Sequence, residues 1–470
     1  MVMDDYYSDS HVRDRLIEYA GGFGGSGITS DFFSQCDADI FSEESICHLR
    51  DLDWFLEAGK EVARSLSDSE SLLIHFDVEY VNFDSPILVF SDPERAFQIQ
   101  QPVIDVIEEL LLKWGITPLH LLTGQGHHFV WRVPHHSETE SLLEKLAPAQ
   151  EWIREAYKRT ACKIEFKNCD GSLCSFIGLG MIMEYLANEV KRLAEERTPV
   201  PVDTTAVISG PWKYGKPREI VSLDISEYGD PMHSRMIRMP FTKYMKTQRT
   251  WISEFFDDCY QHPDMFVIPL HEMNAQEALK IRHDKDAVMD LAKRASVRIP
   301  DESIGMDRLI SEYLNSSLRK FHEEYYDQEQ YPPERWHLTY ARSDFGALPS
   351  CVRRILENPN DQLLKPAAIQ MVVRSLVAED WHPRHIAGLI RSRLADPDAG
   401  WGNAWNHYDP GLRAEFYTRL FAGQVANGID RLIDYNCTSS KEKDLCHINA
   451  GNCSLSSLSD KLNSKTHKYE

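Results

Sequence analysis

The stretch Leu72-Leu-Ile-His-Phe-Asp77-Val-Glu79-Tyr80 constrains the fold more than any other part of the chain. An apolar lead-in followed by alternation reads as a β-strand, whose successive side chains point to opposite faces. His75, Asp77 and Glu79 then share one face, and Phe76, Val78 and Tyr80 the other. Two carboxylates at i and i+2 on one face repel each other, a cost that a divalent cation between them relieves. Taken alone, the same pattern also describes a strand running out into a polar loop.

Two further segments shift that balance. Leu119-His-Leu-Leu-Thr123-Gly124-Gln-Gly126-His127-His128-Phe-Val-Trp-Arg132-Val133 reads as strand, glycine-rich turn, strand. Alternation turns Phe129, Trp131 and Val133 toward the core and His128, Val130 and Arg132 away from it. Gly124 and Gly126 would let the backbone approach a ligand, and exposed amides beside His and Arg suit a phosphate. Glu219-Ile-Val-Ser-Leu-Asp224-Ile-Ser226 reads as a third strand, with Ser222, Asp224 and Ser226 facing away from Val221, Leu223 and Ile225. It runs into a segment holding Arg235 and Arg238, and arginine is the preferred fork for phosphate oxygens. Strand carboxylates, a histidine behind a glycine turn and two arginines are what two-metal nucleotidyl transfer requires.

Composition frames this chemistry. The 470 residues carry a formal net charge of −22, which does not advertise a polyanionic partner. The charge is uneven, however: residues 1–110 hold 6 basic and 24 acidic side chains, whereas residues 213–249 hold eight basic and four acidic. A local basic surface is compatible with the global sign. Ten cysteines are too few for a disulfide scaffold, so a reducing compartment is expected and clustered cysteines read as metal ligands. No run approaches the ~18–20 apolar residues of a membrane span, and Met-Val-Met-Asp-Asp does not open like a signal peptide. The expectation is a cytoplasmic protein with no membrane partner.

The chain divides by pattern. Residues 1–65 read as an acidic segment of helices and loops, 66–260 as the strand-rich region, 261–340 as a helical connector and 341–455 as a second helical region. Helices interrupt the strands near 94–114, 139–160 and 180–197. Residues 456–470 are Ser- and Lys-rich and are expected to be disordered. The run Gly22-Phe-Gly24-Gly-Ser-Gly27 matches G-x-G-x-x-G, but a helix rather than a strand precedes it, so it reads as a linker.

Asp77-Val-Glu79, Thr123-Gly-Gln-Gly126-His-His128, and Leu223-Asp224 followed by Arg235-Met-Ile-Arg238 resemble, in order and spacing, the three motifs of the archaeo-eukaryotic primase superfamily. The D-x-E form resembles its primase-polymerase branch. Thr123 replaces the usual Ser, and His127 adjoins His128, which is chosen by spacing and strand face. The resemblance implies an α+β mixed-sheet catalytic domain in which Asp77, Glu79 and Asp224 hold two Mg²⁺ or Mn²⁺ ions. It also implies a nucleotide cradle of Thr123, Gly124, Gly126, His128 and Arg238, with Arg235 and Lys243 beside it. The implied partners are a single-stranded DNA template and NTP or dNTP, with a replicative helicase or polymerase as a further partner.

Cys351, Cys437, Cys446 and Cys453 fall late in the chain with spacings of 85, 8 and 6 residues. Four thiolates imply zinc or an iron–sulfur cluster, and spacing does not choose between them. Phe345-Gly-Ala-Leu-Pro-Ser-Cys351-Val and Tyr435-Asn-Cys437 resemble the iron–sulfur domain of the primase large subunit, which implies a [4Fe-4S] cluster with zinc as the alternative. Cys162, Cys169 and Cys174 form a looser group that reads as ordinary thiols. Trp401, Trp405 and Tyr408 near His407 read as core before they read as a base-stacking platform. The whole reading is a single-chain DNA primase. A metal-dependent nuclease and a non-catalytic single-strand-binding initiator are its rivals.

Overall fold

A computed structural model describes residues 6–22, 27–36, 46–47, 52–57, 59–146, 150–163, 172–205, 218–248, 250–256, 263–395, 408–446 and 455–465. Among the described residues ten strands form two sheets: β1 (Phe33–Cys36), β2 (Ile46–Cys47), β3 (Glu61–Ser65), β4 (Ser71–Asn82), β5 (Leu119–Leu122), β6 (Gly126–Pro134), β7 (Val202–Thr204), β8 (Glu219–Asp224), β9 (Met236–Arg238) and β10 (Ile268–Pro269). The larger sheet has the order β10-β5-β6-β4-β8-β7 and is mixed, since β7 runs parallel to β8 while the other pairs are antiparallel. β4, the strand with the paired acids, lies inside it between β6 and β8. Its apolar side chains Phe76 and Val78 are fully buried; each contributes about 1.5–3 kcal/mol by leaving water.

The face opposite the acids is covered by the helix Pro93–Trp114, whose Phe97 meets His127 edge-on at 5.3 Å. Local sequence fixes both ends of this helix. Asp92 caps its start by accepting from the Arg95 amide, with Pro93 at the first position, and Gly115 ends it in the left-handed conformation at φ 72°. The helix Leu173–Ala194 is long and apolar enough to cross a membrane, but most of its side chains are buried within the fold.

The smaller sheet has the order β2-β1-β3-β9. The segment 1–65, read from sequence as helices and loops, therefore supplies three strands, and β3 pairs with β9 from the Arg235–Arg238 segment. That pairing is non-local and leaves no short-range pattern to read.

The C-terminal region is helical, as its periodicity predicts. Its helix Pro410–Ala426 is buried on almost every side, packing against the helices Pro366–Ala378 and Pro383–Leu394. It also docks on the sheet region: Arg413 donates to both oxygens of Asp230 at 3.1 and 3.0 Å, and Arg419 Nη2 to Glu184 at 2.6 Å. The tail differs from its expected disorder. Residues Leu455–Asn463 form a helix whose Leu455, Leu458 and Leu462 fall on one face and are buried against the helix Pro366–Ala378. Three leucines at helical spacing suffice to anchor nine residues that composition alone marks as polar.

Candidate active site

The register of β4 with its neighbours builds the site. Asp77 lies directly opposite Asp224 on β8 and directly opposite His128 on β6. Residues opposed in this way point to the same face, so Asp224, Asp77 and His128 form a row across three adjacent strands. Glu79 follows, opposite Ser222 and Gly126. His127 points into the other face, where its Nδ1 lies 2.8 Å from His120 Nε2. His128, and not its neighbour, therefore shares the face of Asp77.

The row is short of partners. His128 Nε2 is 3.4 Å from Asp77 Oδ1, yet neither atom is aligned in a hydrogen bond. Both His128 nitrogens, Asp77 Oδ1 and His75 Nε2 are buried without a hydrogen-bond partner. Such groups cost about 1–3 kcal/mol each when left unsatisfied. Around them, Lys246 Nζ donates to Glu79 Oε1 at 3.2 Å, Asp224 Oδ1 accepts from the Ser226 amide at 2.9 Å, and His75 Nδ1 lies 2.9 Å from Glu227 Oε1.

These contacts split the titrations. Burial, and then the charge of Glu79, pushes the Asp77 carboxyl well above the usual carboxylate range. Burial also raises Glu79, but Lys246 and Arg238 outweigh it and hold that carboxyl below its ordinary value. Burial drives the His128 imidazole well down, aided by His75 and Arg238. His75 is raised instead, because Glu227, Asp77 and Asp224 outweigh its burial. Among the described residues no three His, Cys, Asp or Glu side chains form a ready-made metal cage. The acids nevertheless offer hard oxygen donors, one of them buried and unused, which is the chemistry a divalent cation takes.

The glycine turn is closely packed by neighbouring elements. Neither Gly124 nor Gly126 has a positive φ. A Cβ on Gly126 would stand 1.8 Å from the Val78 carbonyl oxygen, and one on Gly124 2.2 Å from the Tyr244 ring. On the Cβ side both positions are crowded by protein, so neither would accept a side chain. Thr123 closes the turn through its amide to the Gly126 carbonyl at 2.8 Å, and the buried Arg282 donates to the Thr123 carbonyl at 3.1 Å. The turn aims His128 and is itself held rigid.

The basic residues divide. Arg235 reaches the site, donating to Ser226 Oγ at 2.6 Å and lying 3.6 Å from Asp230. Arg238 donates to Glu61 at 2.6 Å and lies over the Tyr244 ring at 5.0 Å, so it acts on Glu79 and His128 through its field. Lys243 is tied by its backbone to Tyr7 and Phe266, and it is Lys246 whose ammonium meets Glu79. Lys246, His75 and Glu227 are additions to the set legible in sequence. Of these, His75 carried a signal, its place on the Asp77 face.

Beside Asp224 opens a cavity of about 370 Å³ lined by Thr205, Asp224, Ser226, Arg235, Tyr408 and Arg413, among others. Two of these, Tyr408 and Arg413, come from the C-terminal region, so that region walls the site. Trp401, Trp405 and His407 lie outside the described residues.

Farther off, Cys351, at the start of the helix Ser350–Glu357, and Cys446 line one cavity of about 230 Å³. Cys437 opens the short helix Cys437–Glu442, and Cys453 lies outside the described residues, as does Cys169. Cys174 accepts from Arg154 at 3.4 Å. Comparisons with family models, with curated proteins and with solved structures give no match.

Proposed function

We propose that the chain is a template-dependent nucleotidyltransferase, a single-chain DNA primase or primase-polymerase working on single-stranded DNA. The observation that carries this reading is the row of Asp224, Asp77 and His128 across three strands, with buried polar atoms left unused. Asp77, Asp224 and Glu79 would hold Mg²⁺ or Mn²⁺. Bound there, the ions would activate the primer 3′-hydroxyl and offset charge on the departing pyrophosphate.

The chain's own residues supply positioning. Lys246 and Arg238 set the positive field on the Glu79 flank, where the triphosphate would lie, and Arg235 does so on the Asp224 flank. The 370 Å³ cavity falls in the size range of small-ligand pockets and would take the sugar and base beside Tyr408 and Tyr417. Its wall from the helix Pro410–Ala426 would make the helical region part of the nucleotide pocket. Cys351, Cys437, Cys446 and Cys453 would hold a [4Fe-4S] cluster, with zinc as the alternative, supported by the cavity that Cys351 and Cys446 share.

Labelled NTPs or dNTPs incubated with the protein, Mg²⁺ or Mn²⁺ and a single-stranded template test the reading. Template-directed products support it, and folded Asp77→Ala and Asp224→Ala variants should yield none. Template degradation would instead indicate a nuclease, and tight template binding without synthesis an initiator. Anaerobically purified protein should be brown with about four irons per chain, since each thiolate binds one iron; colourless protein with stoichiometric zinc would remove the cluster but not the catalytic site.

A further inference from the structure

One buried charge in the fold lacks an opposite. Among the described residues the fully buried arginines are Arg64, Arg282 and Arg384. Arg64 pairs with Asp68, and Arg384 with Glu415. Arg282 pairs with no carboxylate among the described residues; its guanidinium lies 5.6 Å from the Phe97 ring centroid, and its Nε meets His283 Nε2 at 3.3 Å. Burial lowers its pKa only to about 10, so the group stays cationic at neutral pH. Its Nη2 is buried without a hydrogen-bond partner. An uncompensated buried cation is strongly destabilising, which leaves a role for an anion nearby.

What Arg282 grips is the glycine turn. Its Nη1 donates to the Thr123 carbonyl at 3.1 Å and, more weakly, to the Gly124 carbonyl at 3.4 Å. Those carbonyls belong to two successive peptide units whose N–H ends are the amides of Gly124 and Gln125. Both residues are buried, yet among the described residues neither amide donates a hydrogen bond. Buried amides without an acceptor are rare in folded proteins. In a trans peptide the N–H points away from the C=O, so both amides face away from the arginine. A charged donor on the carbonyl polarises the unit and strengthens its N–H as a donor. Successive N–H groups of this kind bind anions. The Gln125 carbonyl accepts from the Tyr80 amide at 3.1 Å, so the turn lies at the Glu79 end of β4, where Lys246 also stands.

We propose that Arg282 is a positioning residue for a phosphate group seated on the Gly124 and Gln125 amides, to which it relays its charge through the two peptide units it grips. The phosphate is that of the nucleotide triphosphate, and in this the inference rests on the nucleotidyl-transfer reading. Arg282 itself touches no substrate. The anion completes both the free amides and the unpaired guanidinium behind them.

The test is calorimetric titration of the metal-free full chain with inorganic tripolyphosphate, which needs no turnover. Arg282→Gln can still donate to the carbonyls but has no charge, and it should bind tripolyphosphate roughly tenfold or more weakly, the scale of hydrogen bonds to a charged group. Arg282→Lys keeps the charge and should stay within a few-fold of wild type. In synthesis assays Arg282→Gln should raise the KM for nucleotide, with affinity for single-stranded DNA unchanged. Equal binding by Arg282→Gln and wild type, or equal losses in the Gln and Lys variants, would overturn the charge relay. A loss of DNA affinity in place of tripolyphosphate affinity would assign the site to the template backbone and overturn the triphosphate. Should both variants fail to fold, hydrogen exchange on wild type decides: tripolyphosphate should slow exchange of the Gly124 and Gln125 amides, and unslowed exchange overturns the proposal. Tripolyphosphate binding that depends on Arg282 in a chain making no primer would keep the phosphate site and remove the nucleotidyl-transfer reading. Primer synthesis with Arg282-independent binding would do the reverse.

Discussion

One sheet carries, on β7 and on β4 with β8 between them, two clusters of buried charge that differ in how their polar atoms are used. Around Asp203 on β7, Lys191 donates to Asp203 at 2.9 Å, and Arg374 grips Asp430 twice and Asp434 once, each at 2.7 Å. Lys443 also pairs with Asp434. None of these six residues has an orphaned buried atom. Around Asp77 on β4, by contrast, carboxylate stands beside carboxylate and four polar atoms of Asp77, His75 and His128 have no hydrogen-bond partner. Low dielectric magnifies both situations. A satisfied network is scaffold, here pinning β7 to the helix Leu173–Ala194 and the helix Pro366–Ala378 to the segment that follows the helix Pro410–Ala426. An unsatisfied one is costly to the bare protein and is kept where a ligand completes it.

The largest expected effect attacks the satisfied side. Arg374→Met leaves Asp430 and Asp434 buried without their guanidinium and should cost about 3–5 kcal/mol, read from denaturant unfolding. A loss under about 1 kcal/mol would erase the contrast between the clusters, since that is the worth of an ordinary surface pair. Acid sharpens the same side. Burial opposes ionisation of Asp434, but Arg374 and Lys443 outweigh it and hold the carboxyl down to about 2. A carboxyl depressed in the folded state stabilises above its unfolded pKa, and that stability is lost as pH falls toward the folded value. Between roughly pH 4 and 2 the chain should therefore lose about 2 kcal/mol through this group, a loss that Asp434→Asn removes.

Asp77 has the opposite sign. Its raised pKa makes the charged form a burden near neutrality, relieved as pH falls. Asp77→Asn should then stabilise the metal-free protein by about 0.5–2 kcal/mol, the usual gain when a strained functional group is replaced, while abolishing synthesis. A destabilised Asp77→Asn would place Asp77 with the scaffold. The smallest effect is that of Lys246→Ala, which should change stability by under about 1 kcal/mol yet raise the KM for nucleotide. An unchanged KM would take Lys246 out of the cradle.

What sequence could reveal followed from range. Alternation within a strand is local, so the shared face of His75, Asp77 and Glu79, the separation of His127 from His128, and the outward Asp224 were all legible. The capped helix Pro93–Trp114 was legible for the same reason. Pairing between distant segments was not. Glu61 as the partner of Arg238 depends on β3 meeting β9, and Glu227 reaches His75 only because β8 ends in a short turn beside β4. The glycines mark a turn in the sequence, but the groups that crowd them, the Val78 carbonyl and the Tyr244 ring, lie on other elements. The wall that Arg413 and Tyr408 give the cavity needs the docking of two regions, which no motif records.

The central claim is that the unpartnered row on β4, β6 and β8 is completed by a divalent cation. Thermal unfolding of metal-free wild type and Asp77→Asn during a Mn²⁺ titration tests it most directly. Wild type should gain about 2.7 kcal/mol at a free ion concentration a hundred times its Kd, while Asp77→Asn, already the more stable without metal, should gain little. Equal stabilisation of both proteins, or none of wild type at millimolar Mn²⁺, would contradict the account.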